Sequence, residues 1–343
     1  MSKKLRMAII GCGGIACGAH ASNYDNIDDI EIVAVCDIRP ERMELIKSKY
    51  KSCADAWTTE DYMDIVNCPD IEAVDICTPN YLHAPIAIAA LNAGKHVLTE
   101  KPDAMTVAEV EAMKEASEKN GKVLMAMRNN RFTPAAIYAR KAIANDEYGR
   151  FYAGRCGWIR RRGVPGDGSW FADKSKSGGG PLIDLGVHMI DLAIFLMGSP
   201  KPVSVSGSTF REIAGKNEKG GLFDVEDLAM GFIKFDNGAC LQIDFSWATN
   251  IEKDVRFVEL RGTKAGIRIE NDELSVFGEK YGVQYDEKPR PRGEYGHCVA
   301  IRHFADVVLN GTDPVFVPQQ GVDMIKILNA IYESAETGKE VLL

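Results

Sequence analysis

The chain has 343 residues, of which 45% are hydrophobic, enough for two domains of ordinary size with well-filled cores. Its 41 Lys and Arg against 49 Asp and Glu give a formal charge of −8, which argues against nucleic acid as the main partner. The one basic run, Arg160-Arg161-Arg162, is too short to overturn that; it reads as a solvated strand end or as a rim contact for a polar substrate.

The nine cysteines form no Cys-x-x-Cys pair, and Cys36, Cys77 and Cys240 lie in strand-like apolar runs, so reduced core thiols and a cytoplasmic location are expected. Ser2-Lys3-Lys4 precedes an apolar run too short for a signal peptide or a membrane span, and no membrane partner is expected.

Leu5 to Ile10 predict a buried strand that runs directly into Gly11-Cys12-Gly13-Gly14-Ile15-Ala16. This is Gly-x-Gly-x-x-Ala at a strand-to-helix turn. Gly11 allows the tight turn, Gly13 lets the backbone approach a pyrophosphate, and Ala16 permits close helix packing. The helix N-terminus then offers N–H groups to the phosphates. Glu31 to Cys36 predict a second strand ending at Asp37. An acid there bonds the adenosine ribose hydroxyls and repels a 2′-phosphate, favouring NAD, while Arg39 keeps NADP open. A plain turn residue is the alternative for Asp37.

The alternation continues. Pro40 to Tyr50 and Thr58 to Val66 read as helices, Ala73 to Cys77 as a strand, and Pro85 to Ala93 as a helix ended by Gly94. His96 to Thr99 is a strand, Val107 to Asn120 a helix ended by Gly121, and Val123 to Met127 another strand. Such alternation predicts a parallel, Rossmann-type sheet over residues 1–127, with ligands outside the strands' carboxyl ends. The loops Thr78-Pro79-Asn80-Tyr81-Leu82-His83, Glu100-Lys101-Pro102 and Arg128-Asn129-Asn130-Arg131-Phe132 therefore join the glycine loop around one crevice. Pro102 disfavours helical geometry at Lys101 and holds it extended at the strand tip. Taken alone, Lys101 reads as an ordinary surface lysine.

Residues 128–343 read as a second domain. Gly178-Gly179-Gly180 predicts a flexible loop, and Pro181 begins a helix that is apolar almost throughout to Met197 and is stopped by Gly198. Asp184, His188 and Asp191 fall at i, i+4 and i+7, one stripe of that helix. Polar groups in so apolar a setting ask for something to face, here a substrate hydroxyl. The structural alternative is a dipole-favoured carboxylate and a core histidine. Metal ligation fits the spacing but lacks a supporting Cys/His cluster, and no metal is expected. The stretch Arg160 to Ser177, with Asp167, Trp170 and Phe171, reads as a loop over the site. Trp170 contacts the nicotinamide or a sugar face there, or simply packs. Beyond residue 200 strands dominate: Val203 to Phe210, Leu228 to Phe235, Ala239 to Trp247, Arg256 to Arg261 and Gly266 to Glu270, with Asp236-Asn237-Gly238 as a hairpin turn. Phe232, Ile233 and Phe235 are set opposite Leu241, Ile243 and Phe245, so one sheet face packs on helices and the other needs a partner or water.

Together the glycine loop, Thr78-Pro79-Asn80, Gly94-Lys95-His96-Val97-Leu98-Thr99-Glu100-Lys101-Pro102 and Gly179-Gly180-x-x-x-Asp184-x-Gly186-x-His188-x-x-Asp191 resemble the glucose-fructose oxidoreductase / inositol dehydrogenase / rhizopine catabolism (Gfo/Idh/MocA) family. The resemblance continues into Gly262-Thr263-Lys264-Ala265-Gly266 and the closing Ala330-Ile331-Tyr332-Glu333-Ser334-Ala335. It implies an α/β chain: an N-terminal Rossmann parallel sheet and a C-terminal α+β domain with a large, mostly antiparallel open sheet. That sheet often builds an oligomer interface, so a homo-dimer or tetramer is expected; a C-terminal helix is free to pack back on the first domain.

The resemblance implies cofactor contacts from Gly11, Gly13, Gly14, Ile15, Ala16, Asp37, Arg39, Thr78, Pro79, Asn80, His83, Glu100, Lys101 and Asn129. Lys101, Asp184 and His188 match the catalytic lysine, aspartate and histidine, and Arg131 and Trp170 join them on the substrate side. Members often carry Asn-Arg-Arg-Phe where this chain has Asn129-Asn130-Arg131-Phe132, so Asn130 departs from the pattern. The implied activity is NAD(P)-dependent oxidation of a secondary ring hydroxyl of a sugar, glycoside or cyclitol, with C3 of a glucose-like unit favoured. A glycoside-cleaving enzyme that oxidises C3 transiently on a retained NAD is the alternative. A non-catalytic sensor is the third reading, and it predicts a lost lysine or histidine where both are present.

Overall fold

A computed structural model describes residues 3–165, 169–214 and 222–343. The chain divides into two compact units, Met1–Asn129 with Tyr295–Val322 and Asn130–Glu294 with Asp323–Leu343.

In the first unit, β1 (Leu5–Ile10), β2 (Ile30–Cys36), β3 (Trp57–Thr59), β4 (Ala73–Ile76), β5 (His96–Thr99) and β6 (Leu124–Ala126) form a wholly parallel sheet in the order β3-β2-β1-β4-β5-β6. Strand β1 runs between β2 and β4, so the direction of winding reverses there, and the crevice beyond β1 and β4 is where such sheets take ligands. Met7, Ala8 and Ile9 are fully buried, as a parallel strand covered on both faces requires.

Local signals set the helices. Val107–Asn120 opens with a capping box between Thr106 and Glu109 and ends at Gly121 in the left-handed region. His83–Asn92 carries Pro85 in its first turn, where the missing N–H is not needed. The stretch 58–66, expected as a helix, is instead edge strand β3 followed by Tyr62–Asn67, whose start is capped by Asp61 accepting from the Met63 N–H. Trp57 and Thr58 are exposed, so the edge strand leaves no apolar period to read. The helix after the glycine loop begins as a widened π turn, Ala16–His20, and continues as Ala21–Tyr24. A later helix, His297–Asn310, belongs to this unit and packs against that turn, β1 and β5.

The second unit holds a nine-stranded sheet. Its strands are β7 (Phe151–Ile159), β8 (Pro202–Phe210), β9 (Leu228–Phe235), β10 (Cys240–Ser246), β11 (Val255–Gly262), β12 (Ala265–Glu270), β13 (Glu273–Lys280), β14 (Val283–Glu287) and β15 (Val341–Leu342), in the order β14-β13-β12-β11-β7-β10-β9-β8-β15. The β7–β10 pair is parallel and the others are antiparallel, which is the expected fold class.

One face is greasy and covered. Ile233, Leu241, Ile243, Phe245, Val258, Leu260 and Ile267 are all fully buried there, and the helix Val187–Leu196 with the π turn before it, Leu182–Gly186, lies on β7, β10 and β11. A Cβ on Gly186 would stand 3.2 Å from the Phe245 ring, so glycine lets the helix settle close to the sheet. Residues 174–196 are long and apolar enough to cross a membrane, yet 78% of their apolar window is buried in the protein.

The expected cross-strand set needs correction. Ile233 does face Leu241, but Phe232 pairs with Gln242 and Ala229 with Phe245. Neighbouring residues of a strand point to opposite faces, so Phe232 lies on the outer side, 40% exposed, with Met230 at 38%. Gly238 makes the β9–β10 turn at φ +80°, and all nine cysteines are free thiols.

His96, at the start of β5, accepts the Val123 N–H through Nδ1 at 3.0 Å, and burial followed by the Lys122 charge lowers its pKa to about 4. An unfolded histidine takes its proton near pH ~6.5. The neutral ring therefore contributes stability that is complete above that pH and is lost as pH falls toward 4. Thermal midpoints should fall between neutral pH and about pH 4.5, and His96→Gln should remove part of that fall; identical slopes for the two proteins would refute the assignment.

Candidate active site

The glycine loop is shaped by one close approach. Gly11 has φ +94°, and a Cβ there would lie 2.7 Å from the Cys77 carbonyl and 2.8 Å from the Thr78 nitrogen, so only glycine lets the loop press against the exit of β4. Gly13 and Gly14 have nothing within 4 Å of a would-be Cβ. Gly14 and Ile15 are exposed while Ala16 is fully buried, giving the loop an open outer side and a packed inner one.

Asp37 fastens this loop to the tip of β2. One carboxylate oxygen accepts the Cys12 N–H at 2.8 Å and the other accepts the Arg39 N–H at 2.9 Å, with the half-exposed Arg39 guanidinium 3.9 Å away. The loops after β4 and β6 each carry a buried oxygen with no hydrogen-bond partner, Thr78 Oγ1 and Asn129 Oδ1. Buried acceptors left unmet are costly. Donors of a bound dinucleotide would meet them, so an open glycine loop, an acid at the tip of β2 and two waiting oxygens fit NAD. Pro79 precedes the short turn Asn80–Leu82, in which Asn80 is buried.

Two residues expected at the cofactor are engaged by protein groups. His83 is fully buried, with Nδ1 2.7 Å from the Pro102 carbonyl and Nε2 2.9 Å from that of Thr78, so it ties the loops after β4 and β5 together; burial lowers its pKa despite both carbonyls. Glu100 is 5% exposed and turned inward, toward His20. Lys101 follows it, partly exposed, its main-chain N–H donating to Glu100 Oε2 at 3.1 Å.

In the second unit the buried helix has two openings. From residue 181 to 193 only Asp184 and His188 are not buried. The Trp247 indole N–H donates to Asp184 Oδ2 at 3.0 Å, and the His188 ring lies 6.2 Å from that of Trp158, itself flanked by the Arg160 and Arg256 guanidinia at 4.9 and 5.2 Å. A carboxylate and an imidazole are thus presented one turn apart on a rigid apolar support, an arrangement suited to holding a hydroxyl and taking its proton.

The expected stripe does not extend to Asp191. That residue is 4% exposed and accepts from Arg131 Nε at 2.8 Å and Nη2 at 2.6 Å, while the guanidinium lies 4.6 Å from the Phe195 ring. Arg131, expected at the substrate, is therefore committed to a bidentate buried pair. Asn130, where the family pattern has arginine, is buried with its amide 3.8 Å from Met189 Sδ.

Nor does the triple-glycine loop stand free. Glu226 accepts the N–H groups of Gly180 at 2.9 Å and Leu182 at 3.1 Å, and the Tyr332 hydroxyl at 2.9 Å, capping the helix that carries Asp184 and His188. A Cβ at Gly179 or Gly180 would collide with Tyr332 or with the Glu226 carbonyl. Burial raises the Glu226 pKa, against the pull of those donors. Trp170 stacks on Phe171 with centroids 4.0 Å apart, and Asp167 lies outside the described residues. Trp247, Trp158 and Glu226 had no signal in the sequence, because each meets the site helix from a distant stretch of chain.

The chain is similar to known proteins over its whole length. Residues 5–127 match the family model described as oxidoreductase family, NAD-binding Rossmann fold, and residues 137–268 match the GFO/IDH/MocA C-terminal domain. The chain is 34% identical to D-glucoside 3-dehydrogenase of Escherichia coli K12, over 100% of this chain and 98% of that protein. It is 28% identical to the NAD(+)-dependent scyllo-inositol 2-dehydrogenase of Bacillus subtilis 168, over 100% and 97%. Among solved structures, levoglucosan dehydrogenase in complex with NADH and levoglucosan superposes with a TM-score of 0.89 at 27% identity, covering 99% of each chain.

Asp37 gives the first test of this site. Asp37→Ser removes a charge-assisted acceptor and should raise KM for NAD by about tenfold, the scale of one such hydrogen bond, while narrowing the preference over NADP. An unchanged NAD/NADP ratio in steady-state kinetics would show that the carboxylate serves the loop alone.

Proposed function

The chain belongs to the Gfo/Idh/MocA family of NAD-dependent oxidoreductases, and from that premise we propose that it oxidises a secondary ring hydroxyl, at C3, of a glucose-like sugar or glycoside. The observation that carries this is the pair Asp184 and His188, the two positions left open between residues 181 and 193 of an apolar helix. Full-length similarity to a D-glucoside 3-dehydrogenase supports the ring position.

NAD, when bound, accepts the hydride. The chain supplies the rest. His188 takes the hydroxyl proton as the C–H bond breaks, because an alcohol cannot deliver hydride and keep its proton. Asp184, fixed by the Trp247 indole, orients the hydroxyl or the imidazole. Lys101 contributes a cation to the developing alkoxide. The free thiols support a reducing, cytoplasmic compartment for this chemistry.

A panel of glucose, methyl glucosides, levoglucosan and inositols, followed by NADH absorbance with NAD and with NADP, tests the reading. Turnover should be best on a glucoside, and His188→Ala and Lys101→Met should each lower kcat by about 10²–10⁴. Cofactor binding should be kept. Aglycone release without net NADH would move the assignment to the glycoside-cleaving chemistry, and full activity in His188→Ala would remove the proposed base.

We further propose that two copies join through the outer face of the nine-stranded sheet. Met230 and Phe232 on β9 and Phe210 on β8 are exposed together on that face, with Phe277 farther along it on β13, and apolar side chains so grouped favour a covering partner. Asp244 Oδ1, also on it, is buried without a partner, and burial raises the carboxyl's pKa. Light scattering should give a multiple of the chain mass for the wild type and a smaller assembly for Phe232→Glu; the same mass for both would place the interface elsewhere.

A further inference from the structure

Behind the glycine loop, within the first unit, runs a line of buried titratable groups that the proposed chemistry leaves unused. His20 is fully buried, with Nδ1 2.7 Å from Asp75 Oδ2 and Nε2 2.8 Å from Glu100 Oε1. The Tyr24 hydroxyl donates to the same Asp75 oxygen at 2.6 Å. At the other end, Glu100 Oε2 accepts the main-chain N–H of Lys101 at 3.1 Å, and His297 Nε2 stands 3.6 Å from Oε1.

An imidazole with a carboxylate at each nitrogen satisfies both only as the doubly protonated cation. Burial opposes that charge, yet Asp75 holds the His20 pKa well above its ordinary value. Burial likewise opposes ionisation of Glu100, yet the hydrogen bond from His20, with the His297 ring close by, keeps its carboxyl well below the usual range. Such a cluster is a poor device for stability alone, since buried ion pairs are often replaced by apolar side chains at no loss. Its placement is more informative. His20 closes the π turn that follows the glycine loop, Asp75 lies on β4, and Glu100 follows β5 directly and precedes Lys101. One cation thus links the turn behind the cofactor loop to the carboxylate that holds the lysine's main chain.

We propose that His20 and Glu100 are a positioning pair for Lys101: Glu100, held at one oxygen by the His20 ring, fixes with the other the main chain from which the Lys101 side chain projects. The pair touches neither substrate nor cofactor in this assignment, and the proposal rests on the role given to Lys101 above. Glu100→Gln keeps the shape and an acceptor oxygen but removes the charge. His20→Gln leaves two buried carboxylates to share one neutral amide.

The test is single-turnover stopped flow on the full-length enzyme, with methyl glucoside or whichever panel member turns over fastest, recording the rate constant and the amplitude of NADH formation separately. The amplitude counts folded, cofactor-competent molecules; the rate constant reports how well the reacting groups are placed. Both variants should show a hydride-transfer rate constant lower by about 10- to 100-fold, as small misplacement of a catalytic group costs, with the NADH dissociation constant within about twofold of wild type. The double variant should be no slower than the slower single, as expected of residues acting as a unit. Wild-type rate constants in both variants, whatever their amplitudes, would overturn the proposal and leave the cluster a role in folding. Lys101→Met separates the two failures: if it is slow while the pair variants are not, only the pair's role falls, and if it turns over normally, the role of Lys101 falls and the pair's with it.

Discussion

Taking a carboxylate out of water is costly unless donors meet it, and that constraint shapes both units of this chain. Six acidic residues are buried among the described residues: Asp75, Glu100, Asp103, Asp191, Glu226 and Asp227. Each is matched. Asp75 and Glu100 share His20, Asp103 takes Arg128, and Asp191 takes Arg131. Glu226 receives two backbone N–H groups and a tyrosine hydroxyl, and Asp227 receives the N–H groups of Ile213 and Ala214. Against that completeness, Asp184 and His188 stand out because the helix bearing them leaves both partly open. Polar groups the fold needs are buried with their partners, whereas these two keep an open side.

The same distinction decides what could be read from the chain alone. Continuous apolar strands such as Leu5–Ile10, and helices closed by Gly94 or Gly121, announce themselves because their cause is local. Strand β7 does not. Gly154 and Gly157 interrupt its alternation, and the reason for both lies in distant neighbours: a Cβ would come within 2.6 Å of Leu260 in one case and 2.8 Å of the Asp244 carbonyl in the other. Strands β13 and β14 are largely wet, and β15 is two residues long, so none offers a hydrophobic period. Motif spacing singled out Asp184 and His188, but it could not separate them from Asp191 or Arg131. Those two residues satisfy one another from opposite ends of a sixty-residue span, and no local pattern records that.

The π turns supply the remaining step. Both helices on which function is placed contain one near the start, Ala16–His20 after the glycine loop and Leu182–Gly186 before Val187–Leu196. A turn wound with an extra residue makes the side-chain positions beyond it lag behind an ideal helix, and such turns gather at functional sites. In the second unit this parts Asp184 from Asp191, which an unbroken helix would hold on one stripe: the first meets Trp247, the second turns inward to Arg131. In the first unit the widened turn ends at His20, where the side chain enters the core between two carboxylates. The departure from regular winding is what lets each of these helices serve the core and the site with neighbouring residues.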